Sequence, residues 1–193
     1  MSRKYPAIAF GKAVQDVQQE EGVRQFAERL EASERIDWLM GDREAEMISR
    51  LDHFFLGTIT ESGWPYIQHK GGPQGFLKVL DERTLGYADF QGNRQYISVG
   101  NVRTDDRVAL FLLEYATRLR LKVFARAEVR AMDQELQERL IDPGYPGRPE
   151  RAVLFTIEAL DWNCPQHITQ RFSVDELRLV DPEVLSEILA EGR

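Results

Sequence analysis

The residues of this chain best placed to do chemistry lie between Tyr87 and Asn101, in the run YADFQGNRQYISVGN. A strand ends there in Ala88-Asp89-Phe90, a short turn with Gly92 follows, and the pattern predicts a helix that begins at Asn93-Arg94. A helix start offers unpaired N–H groups and a positive dipole end, and an arginine adds a bidentate donor. Such a combination suits capture of a terminal phosphate. A turn and helix carrying a solvated arginine is the plain alternative that spacing alone leaves open.

Other reactive side chains are fewer. His69 lies between Gln68 and Lys70 on a predicted strand, where a lone histidine is as often structural as functional. His53 reads as the end of a helix. Cys164 and His167 are three apart, but no second pair completes a four-ligand metal site, and Pro165 between them favours a loop over a catalytic Cys–His pair. No metal is therefore expected. The glycines Gly71, Gly72 and Gly75 form a link with no lysine-serine pair behind it, so a phosphate-cradling P-loop is not indicated.

Strands must position these groups. RLRLKVFARAEVRA alternates strictly: Leu119, Leu121, Val123, Ala125, Ala127 and Val129 on one side, and Arg118, Arg120, Lys122, Phe124, Arg126, Glu128 and Arg130 on the other. That period marks one core face and one polar face. FFLGTIT and WPYIQHK read as a hairpin turning at Gly63. FLKVL and TLGYADF are separated by the turn Asp81-Glu82-Arg83. RVALFLLEY reads as a strand buried on both faces, and RAVLFTIEAL as a further strand. Hairpins in series, with short helices between, argue for an antiparallel barrel of about six strands from Phe54 to Leu160. A parallel sheet would need longer crossovers.

Helices are expected at both ends and in three interruptions. Residues 11 to 31 read as one weakly amphipathic helix. DREAEMISRLD (42 to 52) reads as a second, with Asp42 as N-cap. Residues 91 to 101 and 133 to 142 are helical interruptions. At the far end, Ser173 with Glu176 fits a capping box, and Asp181-Pro182 fits an N-cap followed by proline. The division expected is a helical extension over 1–52 and a barrel domain over 53–193.

Bulk properties narrow the function. The chain has 193 residues, a formal charge of -7 and a hydrophobic fraction of 42%. A nucleic-acid binder would carry a basic surplus, and no apolar run is long enough to span a bilayer. The single cysteine excludes an intrachain disulfide. The opening MSRKYPAIAFGKAVQD lacks the apolar core of a signal peptide, so the expected setting is cytoplasmic.

Against this background, Phe54 to Val129 resembles the pyridoxamine 5'-phosphate oxidase-related family of FMN-binding split barrels. It is most similar to its branch of predicted flavin-nucleotide-binding proteins. HKGGPQGF, ADFQGNRQY and NCPQHI together carry the resemblance, with GNVRTDDRVALFLLEY and RLRLKVFARAEV between them in the family's order. The resemblance implies a mainly β fold with flanking helices, an antiparallel split β-barrel, FMN as cofactor, and a homodimer with flavin at its interface. It places the phosphate on Asn93 and Arg94, where the oxidases carry a basic pair, so one charge is lost. Lys70 or His69 is the candidate to restore it, next to Gln68. Ala88 and Asp89 end the strand before that pair. Backbone groups of Gly75, Phe76 and Leu77 would edge the flavin ring. Lys78 falls where the oxidases hold a substrate phosphate, and Arg118 falls near a flavin-contacting glutamine. Trp162, an interface or core aromatic, would touch the flavin edge, with Gln166 nearby. The GGPQG insertion and the missing arginine-rich C-terminal motif argue against pyridoxamine phosphate oxidation itself.

The function implied is an FMN-binding protein, most directly a flavin-dependent oxidoreductase of unspecified substrate. The other readings are a non-enzymatic flavin carrier, or a split barrel adapted to haem or a deazaflavin.

Overall fold

The structure is a computed structural model, and residues 3–178 are described. Four helices come first: α1 (Lys4–Ala9), α2 (Lys12–Glu20), α3 (Arg24–Ala32) and α4 (Asp42–Arg50). Then follow β1 (His53–Ile59), β2 (Pro65–Gly71), β3 (Lys78–Asp81), β4 (Thr84–Phe90), α5 (Ile97–Thr104), β5 (Arg107–Glu114), β6 (Leu119–Arg130), α6 (Gln134–Leu140), β7 (Pro149–Asn163) and α7 (Val174–Arg178). The single helix expected over 11 to 31 is two, broken at Gly22, whose φ of 70° lies in the left-handed region. Asp42 is the first helical residue of α4, and Gly41 is the cap; Gly41 N–H donates to the Glu44 carboxylate at 2.9 Å. The Ser173–Glu176 capping box is present in both directions, at 2.6 and 3.2 Å. The Asp181-Pro182 cap lies outside the described residues.

The seven strands form one sheet in the order β2-β1-β5-β6-β7-β4-β3, every neighbour antiparallel. Each of the seven runs read as a strand in the sequence is present. Strands β2 and β4 stand five places apart in this order, yet Lys70 of β2 reaches Asp89 of β4 at 3.0 Å. The sheet has therefore curled until its ends meet, without a hydrogen-bonded ladder closing them. This is a split barrel.

Its interior follows from period-two burial. Leu121, Val123, Ala125 and Ala127 of β6 face in, as the alternation required. Phe54, Phe76, Tyr87 and Phe155 form an aromatic cluster, with Phe54 edge-on to Tyr87 and Phe155 and stacked on Phe76. Met47, Ile48 and Leu51 carry α4 and its end into the same core. Strand β5 departs from expectation: its core positions are buried, but Arg107 and Ala109 are exposed and Phe111 is half-exposed. One face of β5 is open, as is the outer face of β2, where Ile67 is 71% exposed. Further along the outer face, Tyr5 of α1 stacks on Phe124 at 5.2 Å. Among the described residues, no helix is long and apolar enough to cross a membrane.

Candidate functional site

A cavity of about 200 Å³ opens where β2, the end of β4, the following loop and the start of α5 converge. Gln68, Lys70, Asp89, Asn93, Arg94 and Ser98 are on its walls, with Tyr96 and Glu150. Side-chain alternation on β2 sends Gln68 and Lys70 toward it and His69 to the opposite face. There His69 stacks on His53 at 5.5 Å and meets the edge of Phe55 at 5.7 Å. Of the two candidates to replace the missing basic partner of Arg94, only Lys70 lines the cavity.

The helix does not begin at Asn93-Arg94. Residues 91–96 are a loop and α5 starts at Ile97. The reason is backbone conformation: Arg94 and Tyr96 have φ of 60° and 54°, left-handed values that interrupt a right-handed helix. The loop is held locally. Asn93 Oδ1 accepts from Gln95 N–H at 3.1 Å. The Gln91 amide lies against Nη2 and Nε of Arg94, and only the orientation with its oxygen toward them satisfies both groups. At the true helix start no side chain caps the first turn, and Ser98 and Val99 of that turn line the cavity. Ser98 Oγ donates to Gln68 Oε1 at 2.6 Å, tying α5 to β2.

A charged cluster runs from the cavity wall to Arg151 behind it. Lys70 Nζ is 3.0 Å from Asp89 Oδ1, and Asp89 Oδ2 is 3.5 Å from Arg151 Nε. Arg151 Nη2 donates to Glu150 Oε2 at 2.5 Å, and Tyr96 Oη donates to Glu150 Oε1 at 3.2 Å. The Arg151 guanidinium lies over the Tyr96 ring, 4.8 Å from its centre. Burial first, and then the Asp89 charge, push the Tyr87 phenol well above its ordinary pKa. It therefore stays protonated beneath this cluster.

Arg151, Glu150 and Tyr96 escaped the reading of the sequence. Asp89 pairs with Arg151 across β4 and β7, but Phe90 pairs with Pro149, so Glu150 is an extra residue at a bulge. Simple alternation would send Glu150 and Arg151 to opposite faces; the bulge lets them meet. Only the paired signs in Glu150-Arg151, opposite an aspartate at a strand end, hinted at it.

The remaining sequence candidates lie elsewhere in the protomer. Phe76 and Leu77 precede β3 and are buried in the core, and Gly75 packs on Ser49, whose carbonyl oxygen lies 2.9 Å from where a Cβ would stand. Lys78 is bound to Asp142 at 2.5 Å. Ala88 is buried under α6. Arg118 is exposed at the tip of the β5–β6 hairpin, with φ of 60°. Trp162 donates its Nε1 to Glu44 at 2.5 Å beneath the Arg43 guanidinium, and Gln166 is exposed in the loop after β7. Cys164 is exposed, and no group of three or more metal-ligating side chains occurs among the described residues.

Comparison with known proteins agrees with this architecture. The family described as Pyridoxamine 5'-phosphate oxidase matches residues 40–160. Among solved structures, a Group A Streptococcus HupZ variant is similar at 14% identity and a TM-score of 0.50, over 65% of this chain and 100% of its own. A Clostridium acetobutylicum protein related to general stress protein 26, of the pyridoxinephosphate oxidase family, aligns at 18% identity and a TM-score of 0.49, over 69% of this chain and 94% of its own. An FMN-binding protein from Syntrophomonas wolfei aligns at 14% identity and a TM-score of 0.49, over 76% and 97%. No curated protein gives a significant match. With the family match spanning the helix before the barrel and all seven strands but the last three residues of β7, the chain belongs to the pyridoxamine 5'-phosphate oxidase family.

Proposed function

We propose that this chain binds FMN, with the phosphate in the cavity walled by Lys70, Arg94 and Ser98, and acts as a flavin-dependent oxidoreductase. The observation that carries the reading is convergence. Gln68, Lys70, Asp89, Asn93 and Arg94, distant in sequence, line one cavity at an uncapped helix start. Cations and free N–H groups are the donors a terminal phosphate needs. When bound, the flavin supplies the electron or hydride transfer, and the protein supplies position and electrostatics.

Size argues for a second copy. Sites for molecules of this class enclose roughly 300–1,000 Å³, and this cavity holds about 200 Å³. One protomer accommodates the phosphate end, and the rest of the ligand needs a further wall. The open faces of β2, β1 and β5, with Ile67, Phe55 and Phe111, are the apolar surface a homodimer would cover. Exposed Arg118 and Gln166 are free to reach a partner's site. Lys78, neutralised by Asp142, is poorly available for a substrate phosphate, so the substrate differs from pyridoxamine phosphate.

The visible spectrum of the purified protein tests the reading directly. Flavin absorbance, FMN identified by mass after heat release, and bleaching by NADH or NADPH under anaerobic conditions are expected. A haem spectrum, or an apoprotein that binds FMN no better than riboflavin, would refute it.

A further inference from the structure

Four charged side chains line the cavity: Lys70 and Arg94 are cationic, Asp89 and Glu150 anionic. The wall alone is therefore electrically neutral, and the Lys70 charge is already shared with Asp89 at 3.0 Å. A phosphate entering such a wall would meet as much repulsion as attraction. An anion site needs a positive surplus, and it has to come from behind the wall.

We propose that Arg151, which does not line the cavity, determines its selectivity for a phosphate-bearing ligand. Arg151 faces both acids at once, with Nη2 2.5 Å from Glu150 and Nε 3.5 Å from Asp89. With its charge included, the cluster is positive by one. Its Nε is shielded from solvent and makes no hydrogen bond, so the contact with Asp89 is one of charge. Offsetting Asp89 from behind leaves more of the Lys70 field for the cavity. The same guanidinium lies on the Tyr96 ring, and Tyr96 is the left-handed residue from which α5 departs. Arg151 thus also steadies the backbone that carries Arg94. A planar fork can face two carboxylates while its plane rests on a ring; an ammonium keeps only the charge. The bulge at Glu150 makes the arrangement possible.

This inference rests on the reading that the cavity takes a phosphate, and the experiment separates the two. Inorganic phosphate, replacing chloride at constant ionic strength, is titrated into the wild type, Arg151→Lys, Arg151→Met and Glu150→Gln while thermal unfolding is followed; a ligand of the folded state raises Tm by mass action. FMN and riboflavin affinities are measured on the same proteins by calorimetry. The wild type should be stabilised by phosphate, Arg151→Lys should keep part of the effect, and Arg151→Met should lose it. The preference of Arg151→Met for FMN over riboflavin should fall about ten-fold, the scale of one charge-assisted contact. Glu150→Gln removes an acid and should move phosphate affinity the other way. It keeps the test decisive should Arg151→Met not fold. A wild type that phosphate leaves unchanged, an Arg151→Met protein with an undiminished response, or a Glu150→Gln protein with weakened phosphate binding would each overturn the assignment. Equal loss of FMN and riboflavin with phosphate binding intact would reduce Arg151 to a structural role and also overturn it. A wild type that responds to phosphate through Arg151 but does not distinguish FMN from riboflavin would sink the flavin reading and leave this inference standing.

Discussion

Two charged clusters tie distant parts of this chain together, and they differ in how completely they are closed. Under α1, Asp37 is 1% exposed and accepts from Arg3 Nε at 3.1 Å and from the N–H groups of Lys4 and Tyr5 at 2.8 and 3.0 Å. Arg3 also reaches Asp161 at 2.6 Å, and no polar atom of Arg3 or Asp37 is left buried without a partner. At the cavity, Lys70, Asp89, Arg151 and Glu150 remain 11–19% exposed, and one guanidinium nitrogen has no hydrogen bond. The first cluster has nothing left to offer a ligand. The second is held in place yet incompletely satisfied, which is the condition for binding something else. Closure, rather than the presence of charge, separates a structural tie from a site.

The comparison breaks most visibly at Asp37. Asp37→Ala leaves the N–H groups of Lys4 and Tyr5 without this acceptor and Arg3 with one partner. Removing one member of a buried pair costs about 3–5 kcal/mol, so chemical denaturation should show a loss of that size. FMN affinity of the molecules that remain folded should not change. A loss below about 1 kcal/mol, the range of exposed pairs, would show that α1 is not held by this cluster.

Next in size is Arg94. If it meets the phosphate, Arg94→Ala should weaken FMN binding by about 1.5–3 kcal/mol and leave riboflavin binding and stability unchanged, since the side chain is exposed. Asn93→Ala should act in the same direction but less, as a neutral donor does. Lys70→Ala should also spare riboflavin, and its double mutant with Arg94→Ala should be non-additive if both contact one phosphate. Calorimetry with the two ligands measures all of these; equal losses for both ligands would remove Arg94 from the phosphate.

Much of this contrast was legible in the sequence, and the exceptions have physical causes. Strict alternation gave the core face of β6, because a strand's side chains take opposite faces whatever surrounds them. The same rule overstated β5: its apolar run was read as doubly buried, and one face lies open. The helix start was misplaced by four residues, from Asn93 to Ile97, because Arg94 and Tyr96 take left-handed backbone conformations that sequence preference assigns to glycine or asparagine. Gln68, Lys70, Asp89, Asn93 and Arg94, expected at one site from the strand-end turn and the family resemblance, line one cavity. Glu150 and Arg151 were not expected there, because the one-residue bulge between them and β4 brings together side chains that alternation would separate; Tyr96 was not, because its left-handed backbone turns it out of the helix the pattern predicted. The Arg3–Asp37 tie joins residues 34 apart, with three helices between them, and both ends lie outside regular elements, where no period exists to read.

The smallest expected effect concerns Glu44, a third charged group with an intermediate degree of closure. It is buried at the start of α4 and accepts from Trp162 Nε1 at 2.5 Å and from Gly41 N–H at 2.9 Å. Burial disfavours its charge, but these donors and the Arg43 charge outweigh that, so its pKa lies below the ordinary value of 4.5. A carboxylate depressed in the folded state contributes stability that is present above its unfolded pKa and lost as pH falls through the folded one. Trp162→Phe keeps most of the ring's burial and removes the donor, at a cost of about 1.5 kcal/mol at neutral pH, the low end for a bond to a charged group. The gap between wild type and variant should then narrow on acidification below about pH 4.5, as Glu44 becomes protonated in both proteins. Urea denaturation at a series of pH values measures it. A gap constant down to the acid limit would mean that Trp162 acts by packing alone, and Glu44 would join Asp37 as a purely structural charge. FMN affinity should be unaffected within one protomer, because Trp162 lies outside the cavity. A selective loss of FMN in Trp162→Phe would instead show that this residue reaches the site of a second copy.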